Sequence, residues 1–203
     1  MIKGWLQRRR YKIHQINNEG THRYFKQVEA HETLTSDKFD QNAPIETRSF
    51  TYSTGAVYEG EWKGNMRHGK GKMTWSDKAC YEGNWSYNMA SGKGTFCHVS
   101  GDVYTGNWKD DKAHGIGVYR HLDGAIYRGD WFEDKQHGKG TETWPDQSEY
   151  EGDFVNGAKH GTGKFTWADG SSYEGQFEFN NISGHGEYRW GDKRCYKGTW
   201  KDN

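Results

Sequence analysis

The sequence predicts an all-β fold: an elongated single-layer antiparallel sheet of consecutive 23-residue β-hairpins, behind a short non-repeat N-terminal segment. Three observations carry that prediction. Aromatic-x-Gly-x-aromatic recurs seven times, each copy 23 residues after the last, starting at Tyr58, Tyr81, Tyr104, Tyr127, Tyr150, Tyr173 and Tyr196. A Gly-x-Gly motif falls between successive copies, from Gly69/Gly71 to Gly184/Gly186. Within both motifs large and charged residues alternate, which is the period of a strand with one buried face. A fixed period of this length marks a repeat array.

Residues 1–45 match no part of the period. They carry 8 basic and 5 acidic residues and read as a docking segment, irregular or with short helices, that orders when it docks. Trp5, Arg8, Arg9 and Arg10 are its candidate contacts, and Ile2, Trp5, Leu6, Ile13 and Ile16 trace a faint amphipathic helix.

The array occupies 46–203. Phe50 and Tyr52 stand 23 residues before Met73 and Trp75 and form a half unit. Six full units run from 58 to 195, and a seventh is cut short at 196–203. In the first unit the strand Tyr58-Glu59-Gly60-Glu61-Trp62 is followed by a six-residue link, Lys63 to His68. The second strand, Gly69 to Trp75, turns Gly69, Gly71, Met73 and Trp75 inward. A five-residue link, Ser76 to Cys80, leads on. Its equivalents hold Ser100-Gly101, Asp123-Gly124 and Asp169-Gly170, which is turn chemistry. Glycine normally weakens a strand. Here it leaves a bare floor on which a ring can lie and lets a narrow sheet bend. One hairpin cannot stand alone, so each must lean on its neighbours. At two strands per unit the array advances ~10 Å per repeat, a rod on the order of 60 Å.

Composition supports this core. Leu, Ile, Val and Phe supply only 25 of 203 residues, whereas aromatics reach 16%. Basic and acidic residues balance at 28 each. No run of 18 apolar residues spans a membrane, and no apolar stretch near the start reads as a secretory leader. Cys80, Cys97 and Cys195 are expected to be reduced, in a cytoplasmic protein. Cys80 and Cys195 share one repeat position but lie roughly 50 Å apart and cannot bridge within one chain.

Chemistry finds little to stand on. His68, His114, His137 and His160 stand in register, yet neighbouring units are ~10 Å apart and zinc needs each nitrogen at about 2 Å. Hairpin hydrogen bonding is the expected role, with no metal and no cofactor. The Gly-x-Gly motifs lack the strand–G-x-G-x-x-G–helix context of a phosphate loop. No catalytic motif occurs, so no enzyme is expected. A pI near 7.2 with no basic stripe excludes nucleic acid.

The run Tyr58-Glu59-Gly60-Glu61-Trp62, then His68-Gly69-Lys70-Gly71, resembles the MORN (membrane occupation and recognition nexus) repeat, and the resemblance covers residues 50–203. It implies an elongated sheet and a scaffolding role among partner proteins, in ciliary axonemes (notably radial spoke heads), cytoskeletons or membrane junctions. His98 and His121 depart from it where an aromatic ends strand two, and Glu142 where a hydrophobe belongs. The expected function is therefore a structural scaffold of a ciliary or cytoskeletal assembly. Its alternatives are a membrane-tethering or phospholipid-binding module and the regulatory arm of an enzyme in trans. The array carries 20 basic and 23 acidic residues and suits an anionic leaflet poorly.

The expected partner-binding face is the aromatic-Gly surface, which a single-layer sheet cannot fully bury by itself. It comprises Tyr58, Trp62, Trp75, Tyr81, Trp85, Tyr104, Trp108, Tyr127, Trp131, Trp144, Tyr150, Trp167, Tyr173 and Trp190. Tyr196 and Trp200, on the last strand, are expected to make end-to-end contacts through an unpaired edge.

Overall fold

The computed structural model describes residues 21, 23–26 and 42–201. They divide into two compact units, the described residues up to Leu122 and those from Asp123 on. The first holds β1 (Ile45–Thr51), β2 (Val57–Lys63), β3 (Met66–Thr74), β4 (Cys80–Ser86), β5 (Met89–Cys97), β6 (Val103–Lys109) and β7 (Lys112–Arg120). The second holds β8 (Ile126–Phe132), β9 (Lys135–Thr143), β10 (Glu149–Val155), β11 (Ala158–Thr166), β12 (Ser172–Glu178), β13 (Asn181–Arg189) and β14 (Cys195–Trp200). Within each unit every strand pairs antiparallel with the next in chain order. The consecutive hairpins read from the 23-residue period are therefore present.

The link inside each hairpin is shorter than the sequence predicts. The second strand starts at Met66, not Gly69, and two residues make the turn. From β4 onward both turn residues have positive φ: Tyr87 and Asn88, Asp110 and Asp111, Glu133 and Asp134, Asn156 and Gly157, Phe179 and Asn180. That is the primed turn whose twist matches a right-handed hairpin. Asn, Asp or Gly stands at its second position throughout, residues that tolerate this conformation.

The missing loop length reappears as a bulge. Gly60 pairs with Gly71 but Trp62 pairs with Arg67, so His68, Gly69 and Lys70 face the single residue Glu61. The first glycine of each Gly-x-Gly absorbs this shift at positive φ, +67° at Gly69. The residue across from it caps the strand: Glu61 Oε2 accepts from Lys70 N at 2.6 Å, and Asp153 Oδ2 from Thr162 N at 2.9 Å.

The second glycine serves space rather than dihedral freedom. The Tyr58 ring lies flat across Gly60 and Gly71, so that a methyl at Gly71 would sit 2.1 Å from its hydroxyl. The hydroxyl then donates to the Glu61 carbonyl at 2.9 Å. Tyr81, Tyr104, Tyr127, Tyr150 and Tyr173 repeat that bond at 2.8 to 3.1 Å. The rings of Tyr58, Tyr81, Tyr127, Tyr150 and Tyr173 each also meet two others edge to face. Tyr81 has Trp85 of its own repeat at 5.0 Å and Trp108 of the next at 5.1 Å. Such pairs contribute ~0.5–1.5 kcal/mol each beyond the area they bury. Trp85 and Trp108 in turn donate Nε1 to the Gly71 and Gly94 carbonyls of the preceding repeat.

In β1 Arg48 occupies the place that Gly71 holds in β3, opposite Gly60. Its guanidinium sits 4.5 Å from the Trp62 ring and donates to the Gly64 carbonyl.

Gly71→Ala should therefore unfold the first unit by ~3 kcal/mol or more, because the ring and the Gly60 backbone leave no room. Gly170→Ala, with φ +79° but nothing within 4 Å, should cost only about 1–2 kcal/mol. Urea titration of both variants measures the difference; equal losses would contradict the flat-ring geometry.

Candidate functional site

Burial corrects the expected partner face. Twelve of its fourteen aromatics are buried in the chain itself, while Trp144 and Trp190 are half-buried. The rings escape water because they lie down on glycine instead of standing off the sheet. At the other end Tyr196 is 40% exposed, but Trp200 is only 7% exposed and packs on Tyr173. Trp5, Arg8, Arg9 and Arg10 lie outside the described residues. His68, His137 and His160 sit in strands rather than loops, and meet the rings of Tyr87, Phe132 and Phe179 at tilted or edge-on angles.

The shorter turn brings a further position inward that the sequence reading left in a loop. Arg67, Ala90, Ala113, Gln136, Lys159 and Ile182 all occupy it, and all are buried. Around Lys159 the position faces a recess bounded by Trp144, which follows the previous second strand, and by Tyr150 and Phe154 of its own first strand. What fills the recess differs from repeat to repeat. Arg67 lays its guanidinium 4.6 Å from the Trp85 ring and donates Nη2 to the Asn88 carbonyl at 2.6 Å. Lys159 places Nζ 5.0 to 5.5 Å from Trp144, Tyr150 and Phe154 and pairs with the buried Glu142 at 2.5 Å. Glu142 thus departs from the repeat pattern as the counter-charge of a lysine inside an aromatic cage.

Ala90 is too small to fill its recess, and the N-terminal segment does so. Thr21 and residues 23–26 are helical. Phe25, 2% exposed, sits 5.4 to 6.1 Å from Trp75, Tyr81, Trp85, Phe96 and Trp108. Trp75, Tyr81 and Trp85 are the equivalents, three repeats earlier, of the rings around Lys159. Tyr24 stacks on Trp75 and Phe96, and its hydroxyl donates to Asp77 Oδ2 at 2.7 Å. Burial and that bond raise its pKa. Trp75 Nε1 returns a hydrogen bond to the Tyr24 carbonyl at 3.0 Å. The segment docks within its own chain, a use that the basic, period-free composition of 1–45 did not reveal.

Next to this recess His98 replaces an aromatic. It stacks on Phe96 at 4.5 Å and lies 3.4 Å from Thr21 Oγ1. Burial lowers its pKa, against an opposing pull from Asp102. Cys80 faces Cys97 directly across β4 and β5, and both are free thiols. Burial, then the hydrogen bond with Cys80, pushes Cys97 up to about 11, so it is a poor nucleophile at neutral pH.

The polar face of the second unit carries a groove of ≈ 1200 Å³. Gly140, Gly152, Gly163, Gly175 and Gly186 line it, since each leaves no side chain there either. Arg128, Lys139, Lys164, Arg189 and Lys197 alternate in it with Glu151, Glu174 and Glu187.

These features define a tandem β-hairpin repeat protein whose core is aromatic on glycine. The MORN repeat family matches residues 58–80, 81–103, 104–126, 127–149, 150–172 and 173–193, and the chain belongs to it. No curated protein matches it in sequence. Among solved structures it is similar to the Drosophila melanogaster SAS-4 (dCPAP) TCP domain in complex with a proline-rich motif of Ana2. That match has 13% identity over 81% of this chain and 96% of that one, with TM-score 0.47. The TCP10 domain of Danio rerio CPAP gives 11% identity over 80% and 97%, TM-score 0.33. Virginiamycin B lyase of Staphylococcus aureus gives 10% over 79% and 58%, TM-score 0.20.

Two outcomes follow from the filled recesses. Lys159→Ile alone should cost ~3–5 kcal/mol by stranding Glu142, whereas Lys159→Ile with Glu142→Met should return close to the parent stability. A double-mutant cycle in urea measures this. For His98 the sign runs against acid: above the ordinary pKa of 6.5 both states are neutral, and below it the unfolded chain protonates first, so stability falls. His98→Phe should reduce the loss of urea midpoint between about pH 7.5 and 5.5.

Proposed function

We propose that the chain is a structural scaffold that organises partner proteins in a larger cytoplasmic assembly, of the ciliary axoneme and radial-spoke kind or of the wider cytoskeleton, and that it acts without catalysis. Family membership supports a scaffold or membrane-binding role. The observation that supports the scaffold reading is the groove on the polar face of the second unit. Its cations and acids alternate, and Lys139–Asp153 and Arg189–Glu187 are already paired within the chain. Such a lining fits an extended peptide of mixed charge laid over the glycines. An anionic leaflet rewards clustered cations instead, about 1 kcal/mol each. Association through the outer edge of β14 belongs to the same reading, with Tyr196 as its exposed residue.

Lys164→Glu with Lys197→Glu, both surface changes, should leave the fold within ~0.5 kcal/mol and remove a defined set of neighbours. Proximity labelling of the tagged chain in ciliated cells, followed by mass spectrometry, reads that set. An unchanged set would contradict the groove. Flotation of the parent chain with phosphatidylserine vesicles, lost in the variant, would favour the lipid-binding alternative, and loss of a single enzyme would favour the regulatory-arm alternative.

A further inference from the structure

Arg67, Lys159 and Ile182 are buried at the recess position of their own second strands. Ala90 leaves its recess to a segment some sixty-five residues earlier in the chain. A purely structural filler needs no such arrangement, since one aliphatic side chain suffices at Ile182. The resident contributes one helical turn and two buried aromatic side chains. Among the described residues it takes no part in strand pairing, and the ring contacts of Tyr81 with Trp85 and Trp108 close without it. Remove it and an aromatic-lined concavity remains, with a carboxylate at its rim in Asp77 and an indole donor in Trp75. Such desolvated aromatic pockets are where interfaces concentrate their affinity.

We propose that the recess over Ala90 is a docking socket for a partner protein's helix carrying an adjacent Tyr-Phe pair, and that Thr21 and residues 23–26 hold it closed as a resident competitor. The proposal rests on the scaffold reading and gives one of its partners a chemistry. The phenyl ring enters among Trp75, Tyr81, Trp85, Phe96 and Trp108. The tyrosine hydroxyl donates to Asp77, and a helix carbonyl accepts from Trp75 Nε1. The resident is tethered to β1 by residues 27–44, so an incoming helix competes with an effective concentration in the millimolar range. Occupancy by a partner therefore requires either a longer interface or release of the resident.

The probe is a fluorescent peptide of residues 18–30, titrated by anisotropy into the full chain. Phe25→Ala in the chain should tighten its binding about tenfold or more by removing the competitor. Adding Ala90→Ile should abolish that binding. Equal affinity for the parent and the Phe25→Ala chain, or binding that survives Ala90→Ile, would overturn the proposal. A second measurement decides the matter even where Phe25→Ala fails to fold. In the otherwise unaltered chain Ala90→Ile should expel the resident. Amide exchange at residues 21–26 should then rise about tenfold or more while β4 and β5 stay protected. Continued protection at 21–26 refutes the idea. Neither readout involves the groove or its cellular neighbours, so a failure of the socket is distinguishable from a failure of the scaffold reading.

Discussion

The whole architecture depends on a tyrosine ring pressed flat against two glycines that face each other across a hairpin. A standing aromatic side chain on one sheet layer would leave a face in water, and the chain has too few aliphatics to cover it. Lying down solves both problems. The ring takes the volume that two β-carbons would have used, its hydroxyl reaches a backbone carbonyl within the same strand, and it meets indole or phenyl rings of its own repeat and the next edge to face. The sheet becomes its own core. This also explains why the 23-residue period runs without a slip, since a ring displaced by one residue would face a β-carbon and the opposite side of the sheet.

Given that frame, each repeat has one position at which it can differ. Arginine, alanine, glutamine, lysine and isoleucine all occupy the recess beside the ring, and each choice changes the neighbourhood. Lysine demands Glu142 as its counter-charge two strands away, on β9. Alanine leaves room for a foreign side chain. A histidine in place of an aromatic, at His98 beside that opening, brings acid sensitivity to the same corner.

The fold was legible because its signals are periodic. Tyr, Gly and Trp spacings placed every hairpin, and Asp-Gly and Ser-Gly marked the turns between them. The turn within each hairpin was misplaced for a definite reason. Its second residue, Asn, Asp or Gly, keeps the same 23-residue spacing, but charged neighbours such as Asp110 and Glu133 masked it as a long polar link. The recess position went with it. The exposed aromatic face expected from the sequence assumed that side chains stand off a sheet, and the glycines contradict that assumption. The docked Tyr24–Phe25 pair had no local signature at all. Its trace lies elsewhere, in two consecutive alanines, Ala90 and Ala113, at a position where other repeats carry bulk.

The turns have a consequence for how such a chain is made. Asn88 clasps the backbone of Arg67, Asp111 that of Ala90, and Asn180 that of Lys159, each through its side chain and its own amide. These three hairpin tips are thus fastened to the ones synthesised before them. At these tips the chain is built like a braid, each new plait laid on the one before it and locking it.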